Sequence, residues 1–429
     1  MRLLTRVIIQ AIMLCSVGLT GCSDRVIQQN WYAVHADGNN SDYARVQAAR
    51  NIEPAWHRKF DGTINLGATT DAYGRVYITT NAEGCHLYAL DPLTGATLWC
   101  SEEVGALAVA SSALVDERGN IFLADDAYMF SFDSSGNLRW KSQILGFPLS
   151  AQFTSRKRLI FVTHIGVVYV MDKETGNTIL MEELTKGNAA HVAEFDPLAC
   201  MRGTRDCPCA NTLAIDIKSD RFYFTYWEPG APQADMFAMQ YKENPNARIA
   251  MLWRNSTLQG GSASSPDISF DGDRIYVNDN EGKLHALHAG TGKNIWRYDL
   301  GYATGGSQST SPKGVIVPAG GGTAPLLCLQ DEGDSVRLLW RIDSDINRGI
   351  PTQAAGDLIY ATLSDRQKGR FHNYLAVIDA RSGELIDREE MPGKTFFTVG
   401  TTIGPEGNVY VPSFNGHIYA FRPKLTKLQ

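Results

Sequence analysis

Residues 89–99 read A-L-D-P-L-T-G-A-T-L-W, and that phrase returns in varied form along the chain. Residues 133–140 give D-S-S-G-N-L-R-W, 172–180 D-K-E-T-G-N-T-I-L, 289–296 A-G-T-G-K-N-I-W and 379–387 D-A-R-S-G-E-L-I-D. Each copy follows a short alternating apolar run such as Leu87-Tyr88-Ala89-Leu90, the pattern of a strand with one buried face. An Asp at the strand end accepts nearby backbone N–H groups and opens a turn. The glycine of each copy (Gly95, Gly136, Gly176, Gly292, Gly383) supplies the positive φ that closes the hairpin. Four residues further on, usually, a Trp offers a large apolar area for a neighbouring sheet to cover.

The return-strand positions are Trp56, Trp99, Trp140, Leu180, Trp253, Trp296, Trp340 and Asp387, at intervals of 43, 41, 40, 73, 43, 44 and 47 residues. A period of about 40–45 residues suits four short strands, the size of a propeller blade. Further strand signals fall between the anchors, at 75–79, 120–124, 159–163, 274–278 and 408–412. The interval of 73 is read as one blade plus an insertion of about 30 residues rather than a ninth blade. Trp56 has no complete blade before it, and the last segment, 396–421, has three strand signals with no return strand after it. The two ends therefore complement each other. The strand around Trp56 is expected to complete the last sheet, giving an all-β propeller of eight four-stranded antiparallel blades with no open edge between its termini.

The A-x-D-x-x-T-G-x-x-x-W phrase resembles the repeat of the quinoprotein-type, or PQQ-like, eight-bladed propellers, over roughly residues 31–421. Residues 31–41, W-Y-A-V-H-A-D-G-N-N-S, are similar to the lead-in before the first blade of that family. The family holds quinone-dependent dehydrogenases and also cofactor-free proteins such as the outer-membrane assembly factor BamB. In its dehydrogenases the resemblance implies a quinone over the propeller axis with calcium, a catalytic carboxylate and commonly a disulfide between adjacent cysteines. This chain has no Cys-Cys pair, Cys207-Pro208-Cys209 being its nearest approach. No cofactor, no metal and no enzymatic activity are expected. The alternative is a protein that binds PQQ or another small ligand in the axial pocket.

Residues 1–21 read as an export signal: Arg2 and Arg6, then an apolar stretch over 7–19, too short to span a bilayer comfortably. Leu19-Thr20-Gly21-Cys22 resembles the lipobox of bacterial lipoproteins, which implies cleavage before Cys22 and its lipidation. By resemblance to enterobacterial lipoproteins, Ser23 in place of Asp implies sorting to the outer membrane, on its periplasmic face. Residues 22–50 are then a tether and lead-in, and 51–429 the propeller. A formal charge of −6 with no long basic run points away from nucleic acid. The expected partners are other envelope proteins, with the membrane reached through the lipid.

Six further cysteines remain in the exported chain, an even set that favours disulfides. Cys85 and Cys100 flank one hairpin and are expected to bond across it. Cys200, Cys207 and Cys209 lie in the inserted stretch at about 185–211, where one bond would staple the loop and the remaining thiol would meet Cys328. A zinc site using His191 as fourth ligand is the other reading, disfavoured by the C-x6-C-x-C spacing. The acidic turns at 271–273 and 279–282 are read as hairpin turns, Asp125-Asp126 as a solvated turn, and the glycines at 301–306 and 320–322 as points where blades crowd the axis. The insertion, with the Trp- and Pro-bearing stretch 226–232 nearby, is the candidate contact surface.

Overall fold

The computed structural model describes residues 31–366, 372–393 and 397–424. The export signal and Cys22 lie outside them. Eight sheets follow one another around a ring, at residues 69–101, 114–143, 152–183, 214–258, 267–299, 308–342, 352–390 and 402–423. The strand signals read from sequence fall on the second strands of their blades, for example Ile121–Ala124, Leu159–Val162 and Arg274–Asn278. These middle strands are buried along their whole length because a neighbouring sheet covers each face. Outer strands such as Leu138–Gln143 carry only half-buried and exposed residues. Seven sheets have four strands. The seventh blade has six, because Tyr43–Gln47 pairs parallel with Thr352–Ala355 and Asp345–Asn347 pairs with Leu358–Asp365.

The repeated residues meet at the blade boundaries. In each copy the Trp of one blade lies against the hairpin glycine of the next. A Cβ on Gly95 would stand 2.5 Å from the Trp56 ring, and one on Gly136 or Gly176 would stand 2.6 Å from the ring of Trp99 or Trp140. Gly292 meets Trp253 and Gly383 meets Trp340 in the same way. The indole N–H then donates to a carbonyl of the turn it covers: Trp56 to Pro92 O (2.9 Å), Trp99 to Ser134 O (3.2 Å), Trp140 to Lys173 O (3.0 Å), Trp253 to Ala289 O (2.8 Å) and Trp340 to Ala380 O (2.9 Å). Trp296 reaches the Asp331 carboxylate of the sixth blade instead, at 3.0 Å. Where the series lacks Trp the contact changes. Leu180 packs on the core between the third and fourth blades, and Asp387 accepts the Ile52 N–H at 2.8 Å. The interval of 73 holds one blade, 214–258, preceded by the insertion.

Ile52–Lys59 is the outer strand of the eighth blade, antiparallel to His417–Pro423, with Trp56 opposite Ala420. At this seam His57 Nε2 lies 2.7 Å from His417 Nδ1, and Tyr419 stacks on His57 at 4.6 Å. Burial lowers both imidazole pKa values, and His417, beside His57 and Lys59, falls to about 4.

Two outcomes are expected. Gly95→Ala places a side chain at φ +68° against an indole, and should cost about 2–4 kcal/mol in urea unfolding, from backbone strain plus overpacking. The seam histidines are neutral in the folded ring and take protons more readily when unfolded. Their contribution is complete above the ordinary His value near 6.5 and is lost as pH falls through the folded value of about 4. The urea midpoint of the native chain should therefore drop more between pH 7 and pH 4.5 than that of His57→Gln.

Candidate binding face and axial cavity

Eight inner strands turned toward one axis present eight open edges, which need partners. The lead-in supplies them for seven of the blades. The amides of Thr70, Val115, Ile215, Ile268, Thr310 and Gln353, on six different blades, donate to the carbonyls of Trp31, Tyr32, Gly38, Asn39, Ser41 and Asp42 at 2.7–3.0 Å. The third blade adds Gln152 Nε2, which donates to Asp37 O at 3.3 Å. Positive φ at Ala36, Asn40 and Asp42 lets the chain curl tightly enough to visit the blades in turn. Burial pushes the carboxyl pKa of Asp42 up, opposed by His35. The buried Asp267 carboxyl is pushed up much further, by burial reinforced by Asp42.

This curl separates two openings. On the side of the first hairpin turns lies a groove of about 720 Å³, bordered by Arg45, Lys157, Lys218, Phe270 and Asp271. Arg45 stacks on Phe270 at 5.2 Å. On the other side, where the chain runs into each inner strand, lies an axial cavity of about 100 Å³. Its walls include Leu66, Leu149, Ile350 and Phe414, and its polar lining includes His35, Thr212, Ser265 and Ser307. Gly305 and Gly306 also line it, as expected for glycines crowding the axis.

Within the cavity lining, His35 Nδ1 lies 2.8 Å from Asp42 Oδ2, and His35 Nε2 lies 3.2 Å from Ser265 Oγ. The Thr212 N–H donates to the same Oγ at 3.2 Å, and the Ser265 N–H donates to Ser307 Oγ at 3.0 Å. Sequence reading placed His35 in the lead-in but gave none of these residues a role in a site. His35 and Ser265 stand 230 positions apart and share no motif.

The insertion reaches the mouth of this cavity. It carries a 3-10 segment, Asn188–Glu194, and a short α-helix, Pro197–Arg202. Cys200 and Met201 join the cavity lining. Asn280 Nδ2 donates to Arg202 O (2.9 Å) and Gly203 O (3.2 Å), and the Ser262 N–H donates to Gly203 O (3.2 Å). Gly203, at φ +60°, presses so closely on the Ser262 carbonyl that only glycine fits. His191, the fourth ligand in the disfavoured zinc reading, pairs with Glu194 at 2.9 Å, and no group of three or more His, Cys, Asp or Glu among the described residues is placed to hold a metal ion.

Cys85–Cys100 spans its hairpin with 5.8 Å between Cα atoms, and Cys200–Cys207 staples the insertion. The expected bond between Cys209 and Cys328 does not form. Cys209 is packed between the third and fourth blades and Cys328 between the sixth and seventh. Burial raises the pKa of each thiol to about 12. Asp125 is likewise a turn residue but a buried one, accepting the Gly105, Ala127 and Tyr128 amides. The turn at 279–282 is closed by Asp279, which accepts the Glu281 and Lys283 amides and His285 Nε2.

A quinone of the PQQ type carries three carboxylates and calls for cationic partners. Among the described residues the axial cavity is lined by no Arg, Lys, Asp or Glu, so those residues do not fit that cofactor.

These blades, their indole stitching and the axial lead-in define a PQQ-type propeller. The chain belongs to the family described as outer membrane protein assembly factor BamB, whose model matches residues 29–150, 83–194 and 250–425. Protein Rv3035 of Mycobacterium tuberculosis is 27% identical over 408 residues, spanning 92% of this chain and 96% of that protein. The crystal structure of BamB from Moraxella catarrhalis covers 86% of this chain and 99% of its own, with a TM-score of 0.60 at 14% identity. Quinohemoprotein alcohol dehydrogenase from Comamonas testosteroni covers 96% of this chain and 84% of its own, with a TM-score of 0.64 at 12% identity. At such identities the shared property is the fold, which here spans an assembly factor and a dehydrogenase.

Mass mapping without reduction should find the bonds 85–100 and 200–207, with Cys209 and Cys328 resisting alkylation until the protein unfolds. Replacing Cys200 and Cys207 together by Ser should cost about 2–3 kcal/mol and speed amide exchange in 188–211 more than in the blades.

Proposed function

We propose that this chain is a lipid-anchored scaffold on the periplasmic face of the outer membrane that binds other envelope proteins, in the manner its family description suggests for outer-membrane protein assembly. The supporting observation is the insertion. It is the long interruption of the blade period, it is stapled by Cys200–Cys207, and it exposes Lys186, His191, Glu194 and Arg205 on the segment whose Cys200 and Met201 line the axial cavity. Its second half falls between the two stretches matched by the family model, 29–194 and 250–425. A stapled loop on a rigid ring loses little freedom on binding, which favours contact there. The partner is thus a protein met through the insertion, while the blades supply the frame. Lipidation at Cys22 supplies the anchor, since two or more acyl chains hold a soluble body on a bilayer.

Two experiments test this. A Cys22→Ala chain should leave the membrane fraction, and its retention there would overturn the anchor. A photo-crosslinking residue placed at Lys186, Glu194 or Arg205 should capture envelope proteins that one placed at Leu98, on an outer strand, does not. Equal capture from both positions would remove the insertion from the interface.

A further inference from the structure

The axial cavity holds an arrangement that a purely structural lead-in does not require. Asp42, His35 and Ser265 form one line of hydrogen bonds, carboxylate to Nδ1 at 2.8 Å and Nε2 to hydroxyl at 3.2 Å. The direction of each bond follows from its neighbours. With Nδ1–H donated to the Asp42 carboxylate, Nε2 is left as an acceptor. The Thr212 N–H already occupies one lone pair of Ser265 Oγ, so the hydroxyl proton is free to point at Nε2. These are the roles of orienting acid, base and nucleophile, which are recognised by geometry and not by order in the chain.

Each member sits on a rigid support. Asp42 and His35 close a single turn of the lead-in, where the Asp42 N–H donates to His35 O at 3.2 Å. Ser265 leads into the inner strand Asp267–Ile268 and is fixed through its amide to Ser307 of the next blade. Both His35 and Ser265 line the cavity. A triad held in place by its surroundings meets the requirement that catalytic groups be preorganised.

We propose that Ser265 is a nucleophile activated by His35, with Asp42 as positioning residue, and that the axial cavity takes small uncharged acyl esters. The lining selects that class. Among the described residues it offers no charged side chain to pair with an ionic substrate, and Leu66, Leu149, Met201 and Phe414 give an apolar wall for a short acyl group. Ser265 Oγ adds to the ester carbonyl carbon while its proton passes to His35 Nε2. The Asp42 carboxylate faces the imidazolium so formed. The carbonyl electrons move to oxygen. Collapse expels the alcohol, which takes the proton from Nε2. Water then adds to the acyl-serine, giving its proton to Nε2, and the acid leaves as that proton returns to Ser265. Ester and water become acid and alcohol, with no other reagent. This activity stands apart from the scaffold reading and does not depend on it.

The test uses the full chain, a fluorophosphonate probe and p-nitrophenyl acetate. The probe should phosphonylate the tryptic peptide that contains Ser265, approaching one label per chain, and Ser265→Ala should abolish it. Asp42→Asn should slow labelling on the order of 10³–10⁴-fold without changing the final stoichiometry. His35→Ala should lose labelling, and added imidazole should restore part of it, which a structural role of His35 would not allow. Acetate should turn over faster than the octanoate ester. Should the variants fail to fold, protection of the native chain from the probe by the small ester decides the matter. A folded native chain left unmodified at Ser265, under conditions that saturate a known serine hydrolase, would overturn the proposal. So would labelling that survives His35→Ala undiminished.

Discussion

The contact on which this ring depends is an indole lying on a glycine. A Trp on the outer strand of one blade has its face against the hairpin of the next, and the hairpin approaches closely because its residue there has no Cβ. The indole N–H simultaneously satisfies a carbonyl of that turn. One residue type thus supplies apolar coverage and a polar tie. The two halves of the contact belong to consecutive blades, so each copy of the phrase is incomplete without its neighbour. That is why the pattern is periodic, and why a single blade would leave its outer face uncovered.

The second constraint lies at the axis. Stitching near the outer strands leaves the inner strands with unpaired amides, and the lead-in gives them successive carbonyls in one turn of chain. The price is three non-glycine residues at positive φ, Ala36, Asn40 and Asp42. It also brings His35, Asn40 and Asp42 into the buried centre of the ring. The insertion closes over the opposite mouth. The propeller is therefore a body whose centre is occupied by its own chain, and its large open groove lies to the side, against the hairpin turns.

The blade count, the strand positions, the closure of the last sheet by the strand at Trp56, the bond between Cys85 and Cys100, and the insertion were legible in the sequence. Each rests on a local pattern, an alternation or a fixed offset between Asp, Gly and Trp, repeated often enough to be read against its own copies. What was not legible comes from the ring's geometry. Whether Cys209 meets Cys328 depends on which interblade core each enters, and both thiols are enclosed by apolar side chains in separate cores. The extra parallel strand Tyr43–Gln47 carries no turn signal because it is the continuation of the lead-in. The grouping of Asp42, His35 and Ser265 joins the lead-in to the fifth blade, and no spacing within either segment announces it.

The seam between Ile52–Lys59 and His417–Pro423 ties almost the first described strand to the last. During synthesis the early strand has no partner until residues 417–423 have been made. A prematurely terminated product cannot shut the circle, and both its flanks stay sticky. Completeness of the ring is thus written into its shape: its faces are whole only when residues more than 350 positions apart have met.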